Sequence, residues 1–347
     1  MDDKIRKRIG STILLLCFLF ICLSGCGLFD SAGADEAETE ESLGPEESGE
    51  FLVVGFSQLG SESVWRTANS NSVQQALSEE NGYFLIFSNG RQRQENQIKA
   101  LREFISQRVD YIILAPVTEN GWDTVLQEAK EAGIPVILMD RKVNVEDASL
   151  YRTWVGSDSV QEGERAGRWL ESYLKKQGRQ YDDINIVVLQ GTIDSTAEIG
   201  RSNGFRQIAS RYANWHILEE KTADFTMAKG KEVMEYYLRK YPDIDVVVSQ
   251  NDDMTFGAIE AMEEAGLTTG VNGDITLISF DAVREGLEMV KDGAINVDIE
   301  CNPDQGEYVR KIIEKLERGE EVERENIVEE QVFTRDTLPE NLDERTY

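Results

Sequence analysis

Side chains suited to binding a polar ligand directly follow an apolar run in this sequence. The run IPVILM, residues 134–139, leads into Asp140 and Arg141, a carboxylate beside a guanidinium. These two groups compensate each other's charge enough to be buried, and their spare lone pairs and N–H groups stay available for neighbouring hydroxyl groups. The alternative interpretation is a salt bridge between domains that contacts no ligand.

Other apolar runs also end in polar loops. The segments that follow them are SQLGSESVWR (57–66), VTENGW (117–122), GTIDSTAEIGR (191–201), TADFT (222–226), NDD (251–253) and Asp281. Acids and amides accept hydrogen bonds, and Arg donates up to five. This mixture of side chains suits a neutral ligand that donates and accepts hydrogen bonds along its whole edge. Sugars are the commonest example, since a sugar ring can also lie on an aromatic plane.

Short β-rich runs alternate with longer segments of helical period. The predicted strands cover residues 51–56, 83–89, 109–116, 134–140, 184–190, 215–223, 246–250 and 275–281. Three helical segments end alike, in ENGY, EAGI and EAGL, each with a Gly where a left-handed cap is needed. This alternation predicts an α/β protein with doubly wound parallel sheets, whose ligands bind outside the carboxyl ends of the strands.

The chain begins with segments typical of export. Four basic residues precede an uncharged apolar run that ends at Cys26, so residues 1–25 are predicted to be a signal peptide. LSGC at 23–26 resembles a lipobox, which makes Cys26 the expected lipidation site; an uncleaved anchor is the alternative. Residues 26–50 hold nine acids and no base, typical of a disordered tether. We therefore expect an extracytoplasmic protein, lipid-anchored to the outer face of the cytoplasmic membrane.

Charge and cysteine content exclude two classes of protein. The formal net charge is −29, which repels nucleic acid. Cys301 is the only thiol outside the leader and the lipidation site, so a disulfide framework is excluded.

The folded part, about 297 residues, exceeds what one core usually supports, which predicts two domains.

The ordered series of motifs from residue 51 to about 340 resembles the type I periplasmic sugar-binding proteins of ABC transporters, the ribose- and galactose-binding group. GFSQLGSESVWR, NGRQRQENQIKAL, DFTMAKGKEVME, QNDDMTFGAIEAMEEAG and SFDA carry the resemblance. Within the family the likeness is greatest to galactofuranose-binding members. The resemblance implies two Rossmann-like domains joined by a three-segment hinge. It places 51–157 plus 302–330 in an N-terminal lobe and 158–301 plus 331–347 in a C-terminal lobe.

The same resemblance implies the ligand-binding residues. Trp65 and Phe225 are expected to stack on opposite sugar faces, and the polar residues are expected to hold hydroxyl groups. The implied set is Glu62, Ser63, Trp65, Arg66, Asp140, Arg141, Arg201, Phe225, Asn251 and Asp281. Cys301 stands where the ribose-binding pattern has a Gln, which argues against ribose. The calcium-loop pattern of the galactose-binding relatives is not evident, so we predict neither a metal nor a cofactor.

The expected function is binding a monosaccharide, galactofuranose or a related hexose or pentose, for delivery to an ABC permease and its ATPase. The alternative is a lipid-anchored sensor that presents its closed form to a receptor kinase or chemoreceptor. We predict a monomer that is not an enzyme. Every candidate acid at the predicted site has a plausible role in binding, and the single His216 supports no catalytic triad. A transcription regulator of the lac-repressor type is excluded, because it would need a basic helix-turn-helix where this chain has its leader and acidic tether.

Four further residues are assigned structural roles. Trp122 and Trp154 are expected in core or rim packing rather than on a ligand. Asp252 and Asp253 are expected to cap the helix that begins near Met254, close to its positive dipole end.

Overall fold

The computed structural model describes residues 51–347, and all structural statements below refer to that part of the chain. The predicted signal peptide, Cys26 and the tether lie outside the described residues. The strands are β1 (Leu52–Gln58), β2 (Tyr83–Asn89), β3 (Tyr111–Leu114), β4 (Val136–Met139), β5 (Thr153–Gly156), β6 (Ile184–Gln190), β7 (Trp215–Thr222), β8 (Val246–Ser249), β9 (Thr276–Asp281), β10 (Val297–Glu300), β11 (Glu325–Ile327) and β12 (Val332–Phe333). The α-helices are α1 (Val64–Ala76), α2 (Gln94–Gln107), α3 (Asp123–Glu131), α4 (Ser159–Lys176), α5 (Thr196–Ala209), α6 (Met227–Lys240), α7 (Asp252–Glu264), α8 (Arg284–Asp292) and α9 (Gly306–Glu317). No helix among these is long and apolar enough to cross a membrane.

The strands form two six-stranded sheets. The first has the order β11-β5-β4-β3-β1-β2, and the second has the order β12-β10-β9-β8-β6-β7. Every pair in the first sheet is parallel, and in the second only the β10–β12 pair is antiparallel. The prediction of a doubly wound parallel α/β fold is confirmed.

Helices cover both faces of each sheet, which explains why central strands such as β3 and β4 are apolar throughout. Along β3, Ile112 and Leu114 pack with α2 and α3, whereas Tyr111 and Ile113 pack on the opposite face with α1 and α9. Successive side chains of a strand point to opposite faces, so a strand covered on both sides needs apolar residues at every position. Each fully buried aliphatic side chain contributes about 1.5–3 kcal/mol to folding.

The three helix endings with a predicted glycine cap have the expected left-handed conformation. Gly82, Gly133 and Gly266 have φ values of 85°, 75° and 77°, as the three repeated endings predict. At the start of α1, the Ser63 hydroxyl accepts the Arg66 backbone N–H at 3.0 Å, which fixes the loop after β1.

The chain changes sheet three times: after β5, after β10 and after β11. The three-segment path implied by the family resemblance is therefore confirmed, while the exact lobe boundaries stay a prediction. We call the elements of the first sheet with α1, α2, α3 and α9 the first half, and the remaining elements the second half.

Two sequence expectations about large side chains are confirmed. Trp122 and Trp154 are buried in the core on one face of the first sheet, where the Trp122 indole N–H donates to the Thr118 carbonyl. By contrast, the expected helix cap of Asp252 and Asp253 is wrong, because Asn251 is the N-cap of α7 and accepts the Met254 N–H at 3.0 Å. Asp252 lies deeper and accepts hydrogen bonds from Ser279 and Val283.

Candidate functional site

A single cavity of about 310 Å³ collects all ten predicted site residues at the carboxyl ends of the strands. Both halves contribute to the wall. The lining consists of Glu62, Ser63, Trp65, Arg66, Asp140, Arg141, Ala197, Arg201, Phe225, Asn251, Asp281 and Cys301.

Arg66 organises the wall on the side of the first half. Its Nε lies 3.1 Å from Glu62 Oε1, and its Nη2 lies 2.7 Å from Asp140 Oδ2. Burial alone would lower the pKa of Arg66, but Asp140 and Glu62 reverse that effect and raise it. Arg66 therefore stays cationic and holds both carboxylates at the edge of the cavity.

Arg141 is less firmly paired than its position beside Asp140 suggests. Its Nε lies 3.9 Å from Asp140 Oδ2 and has no hydrogen-bond partner among the described residues, while Nη1 donates to the Val117 carbonyl at 2.7 Å. Burial and the neighbouring charge of Arg66 lower the pKa of Arg141 to about 10. The expectation that Asp140 and Arg141 chiefly neutralise each other is therefore corrected: Asp140 pairs more closely with Arg66.

On the opposite wall, Arg201 is held by three groups. Its Nε donates to Glu162 at 2.6 Å, its Nη2 donates to Asp281 at 3.2 Å, and its Nη1 donates to the Gln250 carbonyl. Burial would lower the pKa of Arg201, but Glu162 and Asp281 raise it well above its ordinary value. A guanidinium fixed in this way presents a defined edge to a ligand.

Phe225 enters the cavity from a strained backbone position. Its φ is 58°, and φ is also positive at Asp140 (61°) and Asp281 (104°). Non-glycine residues held in such sparsely populated conformations cost about 1–3 kcal/mol each and cluster at functional sites. Gly191 makes room for the ring, since a Cβ there would lie 1.8 Å from Phe225 Cζ.

The second aromatic ring, that of Trp65, connects the two halves. Its indole Nε1 donates to the Cys301 carbonyl at 2.5 Å, and Trp65 belongs to an apolar cluster with Phe256, Val283 and Tyr347 of the second half. On its own side, the Arg66 guanidinium lies 4.6 Å from the Trp65 ring centroid. A cation over the indole face orients the ring.

Four further hydrogen bonds join the halves around the cavity, one of them from Thr196 Oγ1 to Glu119 Oε1 at 2.8 Å. Val64 N donates to Asp253 Oδ2 at 3.2 Å, Glu119 N donates to Asp194 O at 3.1 Å, and Lys142 N donates to Thr196 Oγ1 at 2.8 Å. Nine of the ten predicted site residues are buried as a result. The two halves therefore stand closed over the cavity.

Sequence reasoning missed several residues that shape this site. Glu162, the partner of Arg201, lies on a helix and follows no strand end, so no sequence signal indicated it. Gly191 directly follows β6, where a Gly beside a predicted binding loop could have signalled a close approach. Among the described residues, Glu162, Cys301 and Glu330 also form the one group of three with the donor atoms and spacing for a metal ion.

The arrangement of donors, acceptors and aromatic rings can bind a polar solute. His216 lies on the surface, where its Nε2 is 2.9 Å from Asp183 Oδ1. Two doubly wound parallel halves that close over a polar cavity at their strand ends define a binding protein of the periplasmic type. Residues 54–321 match the periplasmic binding protein domain, and the chain belongs to this family.

Several known proteins are similar over most of the chain. The galactofuranose-binding protein YtfQ of Escherichia coli K12 is 40% identical over 298 residues, which cover 85% of this chain and 91% of that protein. A Mycobacterium smegmatis structure in complex with β-D-fucofuranose is 42% identical with a TM-score of 0.78, over 82% and 92% of the two chains. The binding protein of the arabinose ABC transporter from Shewanella sp. ANA-3, bound to α- and β-L-arabinofuranose, is 42% identical with a TM-score of 0.77, over 82% and 92%.

These comparisons confirm the family predicted from the sequence. The relatives are solute-binding proteins and not enzymes, which confirms that prediction as well. Membership in the family implies an extracytoplasmic location.

Proposed function

We propose that this protein binds a monosaccharide in its furanose form, galactofuranose or a related sugar, in the closed cavity. The observation that carries the proposal is the shared lining: ten residues predicted to contact a sugar surround one cavity of about 310 Å³. Three guanidinium groups and three carboxylates at this site give hydroxyl groups both donors and acceptors. Trp65 and Phe225 supply apolar rings for the sugar's C–H faces.

The furanose form is favoured by the names of three relatives, which are described with galactofuranose, β-D-fucofuranose and L-arabinofuranose. Hydrogen bonds to charged groups contribute about 1.5–3 kcal/mol each. Closure consumes part of that free energy, so we expect a Kd of about 1 μM or tighter, roughly −8 kcal/mol.

Binding and release are proposed to occur by movement of the N-terminal lobe (51–157 plus 302–330) against the C-terminal lobe (158–301 plus 331–347). The closed lobes would be recognised by an ABC permease, and its ATPase would drive import. A lipid on Cys26 would keep the monomer at the outer face of the cytoplasmic membrane. The naming of one relative as a transporter component favours this role over sensing.

Calorimetry with the soluble domain tests the ring form. D-galactose and L-arabinose contain both ring forms in solution, whereas methyl α-D-galactopyranoside is locked as a pyranoside. Because only a fraction of a free sugar is furanose, its apparent Kd is the intrinsic Kd divided by that fraction. We expect a free sugar to bind and the locked pyranoside to fail; equal binding of both would refute the furanose proposal.

A further inference from the structure

Arg201 lines the cavity while three of its five N–H groups are already bonded to the protein. Its Nε donates to Glu162 Oε2 at 2.6 Å, its Nη2 donates to Asp281 at 3.2 Å, and its Nη1 donates to the Gln250 carbonyl. Among the described residues, these bonds leave one N–H on each Nη without a partner. The direction in which those two N–H groups point depends on the partners that hold the rest of the guanidinium.

Glu162 differs from the other two partners of Arg201 because it lies behind the cavity wall. Asp281 lines the cavity, so a solute can compete with Arg201 for its carboxylate. Gln250 contributes only a backbone carbonyl, directly after β8. In the described part of the chain Glu162 does not line the cavity, and its side chain is 1% exposed. Its carboxylate can therefore hold Arg201 whether or not a solute is bound.

Glycine contacts between α4 and α5 bring Glu162 within reach of Arg201. A Cβ on Gly163, the neighbour of Glu162, would lie 2.3 Å from the Arg201 carbonyl oxygen. In the reverse direction, a Cβ on Gly204 would lie 2.0 Å from the Val160 carbonyl oxygen. Real Cβ atoms do not approach other atoms this closely, so the two backbones touch only because both positions lack a side chain. This close approach sets the distance between the carboxylate of α4 and the guanidinium of α5.

We propose that Glu162 is a positioning residue for solute binding, which fixes the Arg201 guanidinium from behind so that its two remaining N–H groups point at the solute. Glu162 acts on the solute only through Arg201, because it does not reach the cavity itself. The effect on the solute rests on the proposed function, whereas the fixing of Arg201 does not.

Without the Glu162 carboxylate, the Arg201 guanidinium would have to rearrange. Its buried Nε–H would lose its acceptor, which costs free energy until another acceptor is found. The Phe280 ring, with its centroid 5.0 Å from Arg201 Cζ, covers one face of the guanidinium but does not replace that acceptor. Asp281 is the other carboxylate that Arg201 contacts, so the guanidinium should turn toward it. That turn takes both the free N–H groups and the Asp281 carboxylate away from the solute.

The first test needs no sugar and observes the Arg201 Nε–H by NMR in protein with isotope-labelled arginine. A buried Nε–H that donates to a carboxylate exchanges slowly with solvent, and Arg201→Lys identifies its signal by removing it. Glu162→Asp withdraws the carboxylate by one methylene group and should speed this exchange by about tenfold. Glu164→Asp is the matched control, because Glu164 also lies on α4 and accepts a hydrogen bond from Gln207 of α5 at 2.8 Å. Unchanged exchange in Glu162→Asp overturns the proposal.

The second test measures D-galactose binding by calorimetry. Glu162→Gln keeps the length and an acceptor oxygen, so it should bind within about threefold of wild type, whereas Glu162→Asp should bind about tenfold more weakly. The reverse order would assign Glu162 to charge balance alone and overturn the positioning role. In an Arg201→Lys background, Glu162→Asp should cause little further loss, and an equally large loss there overturns the action through Arg201. If wild type binds no D-galactose, the effect on the solute fails with the proposed function, and the exchange rates alone decide whether Glu162 fixes Arg201.

Discussion

Asp140 Oδ2 lies 2.7 Å from Arg66 Nη2 and 3.9 Å from the Nε of its own neighbour Arg141. Asp140 and Arg66 come from different strand ends, and their pairing leaves Arg141 with an unpaired Nε in the cavity wall. The two arginines therefore have different roles. Arg66 neutralises the Glu62 and Asp140 carboxylates in the cavity wall, and Arg141 keeps an N–H group that can donate a hydrogen bond to the solute.

This difference predicts opposite outcomes for two substitutions. Arg141→Ala leaves Asp140 paired with Arg66, so it should weaken sugar binding by about 1.5–3 kcal/mol with little change in Tm. Arg66→Ala leaves Glu62 without its partner and Asp140 with only the more distant Arg141, which should cost about 3–5 kcal/mol of stability in the closed state. Calorimetry and thermal unfolding of both variants check this. A larger loss of stability in Arg141→Ala would contradict the assignment.

Gly191→Ala tests whether the Phe225 ring must lie in the cavity for the sugar to bind. An added Cβ would lie 1.8 Å from Phe225 Cζ, so the ring must leave its place in the cavity. We expect a loss of sugar affinity of at least about tenfold, or 1.4 kcal/mol, with an unchanged far-UV spectrum. Gly178→Ala is a matched control for a distant glycine, because nothing lies near a Cβ there, although its φ of 73° adds some strain. Normal binding by Gly191→Ala would place Phe225 outside the binding site.

The raised pKa of Asp253 predicts that closure of the two halves depends on pH in the acidic range. It accepts the Val64 N–H across the cavity entrance, and burial raises its pKa to about 6. If opening exposes Asp253, its pKa falls toward the ordinary 3.8, so closure takes up protons between about pH 4 and pH 6. Affinity should then be higher at pH 5 than at pH 8, and Asp253→Asn should remove that difference. A wild-type Kd that is constant over this range would rule out the effect.

Tyr347 is predicted to support Trp65 from the second half. It belongs to the same buried apolar cluster, and its hydroxyl donates to Glu300 at 3.0 Å. Tyr347→Ala should destabilise the protein by about 3–5 kcal/mol, the range for truncating a buried aromatic ring. It should also reduce the change in tryptophan fluorescence when sugar binds. Tyr347→Phe keeps the ring and should retain most of the signal; equal losses in both variants would assign the effect to the hydroxyl.

Much of the fold could be predicted because most of the eight predicted strands are apolar runs bounded by recognisable turns. The four missed strands lack that signal for separate reasons. In β10, Asp298 and Glu300 are buried, at 0% and 5% exposure, although an acid normally indicates a solvent face. The strands β11 and β12 span only three and two residues. The strand β5 is as long as β3, β4 and β8 but contains only two large apolar residues, Trp154 and Val155.

The site could be predicted from strand ends together with the family resemblance, but its internal pairing could not. Sequence proximity suggested Asp140 with Arg141, whereas three-dimensional proximity favours Arg66. Asn251 likewise caps α7 while its Nδ2 donates to the Phe225 carbonyl at 3.3 Å, a contact between distant segments. Such pairings depend on how loops from different strands meet, and local sequence carries no information about that distance.

The burial of the cavity lining has a kinetic consequence. With nine of the ten predicted contact residues covered, we expect a sugar to enter and leave only when the two halves open. The residence time of the sugar would then be set by the rate at which the two halves open. Contacts with individual hydroxyl groups would affect the residence time only by changing that opening rate. Substitutions that remove a hydrogen bond between the halves, such as Thr196→Ala, should therefore shorten residence even though they remove no contact with the sugar.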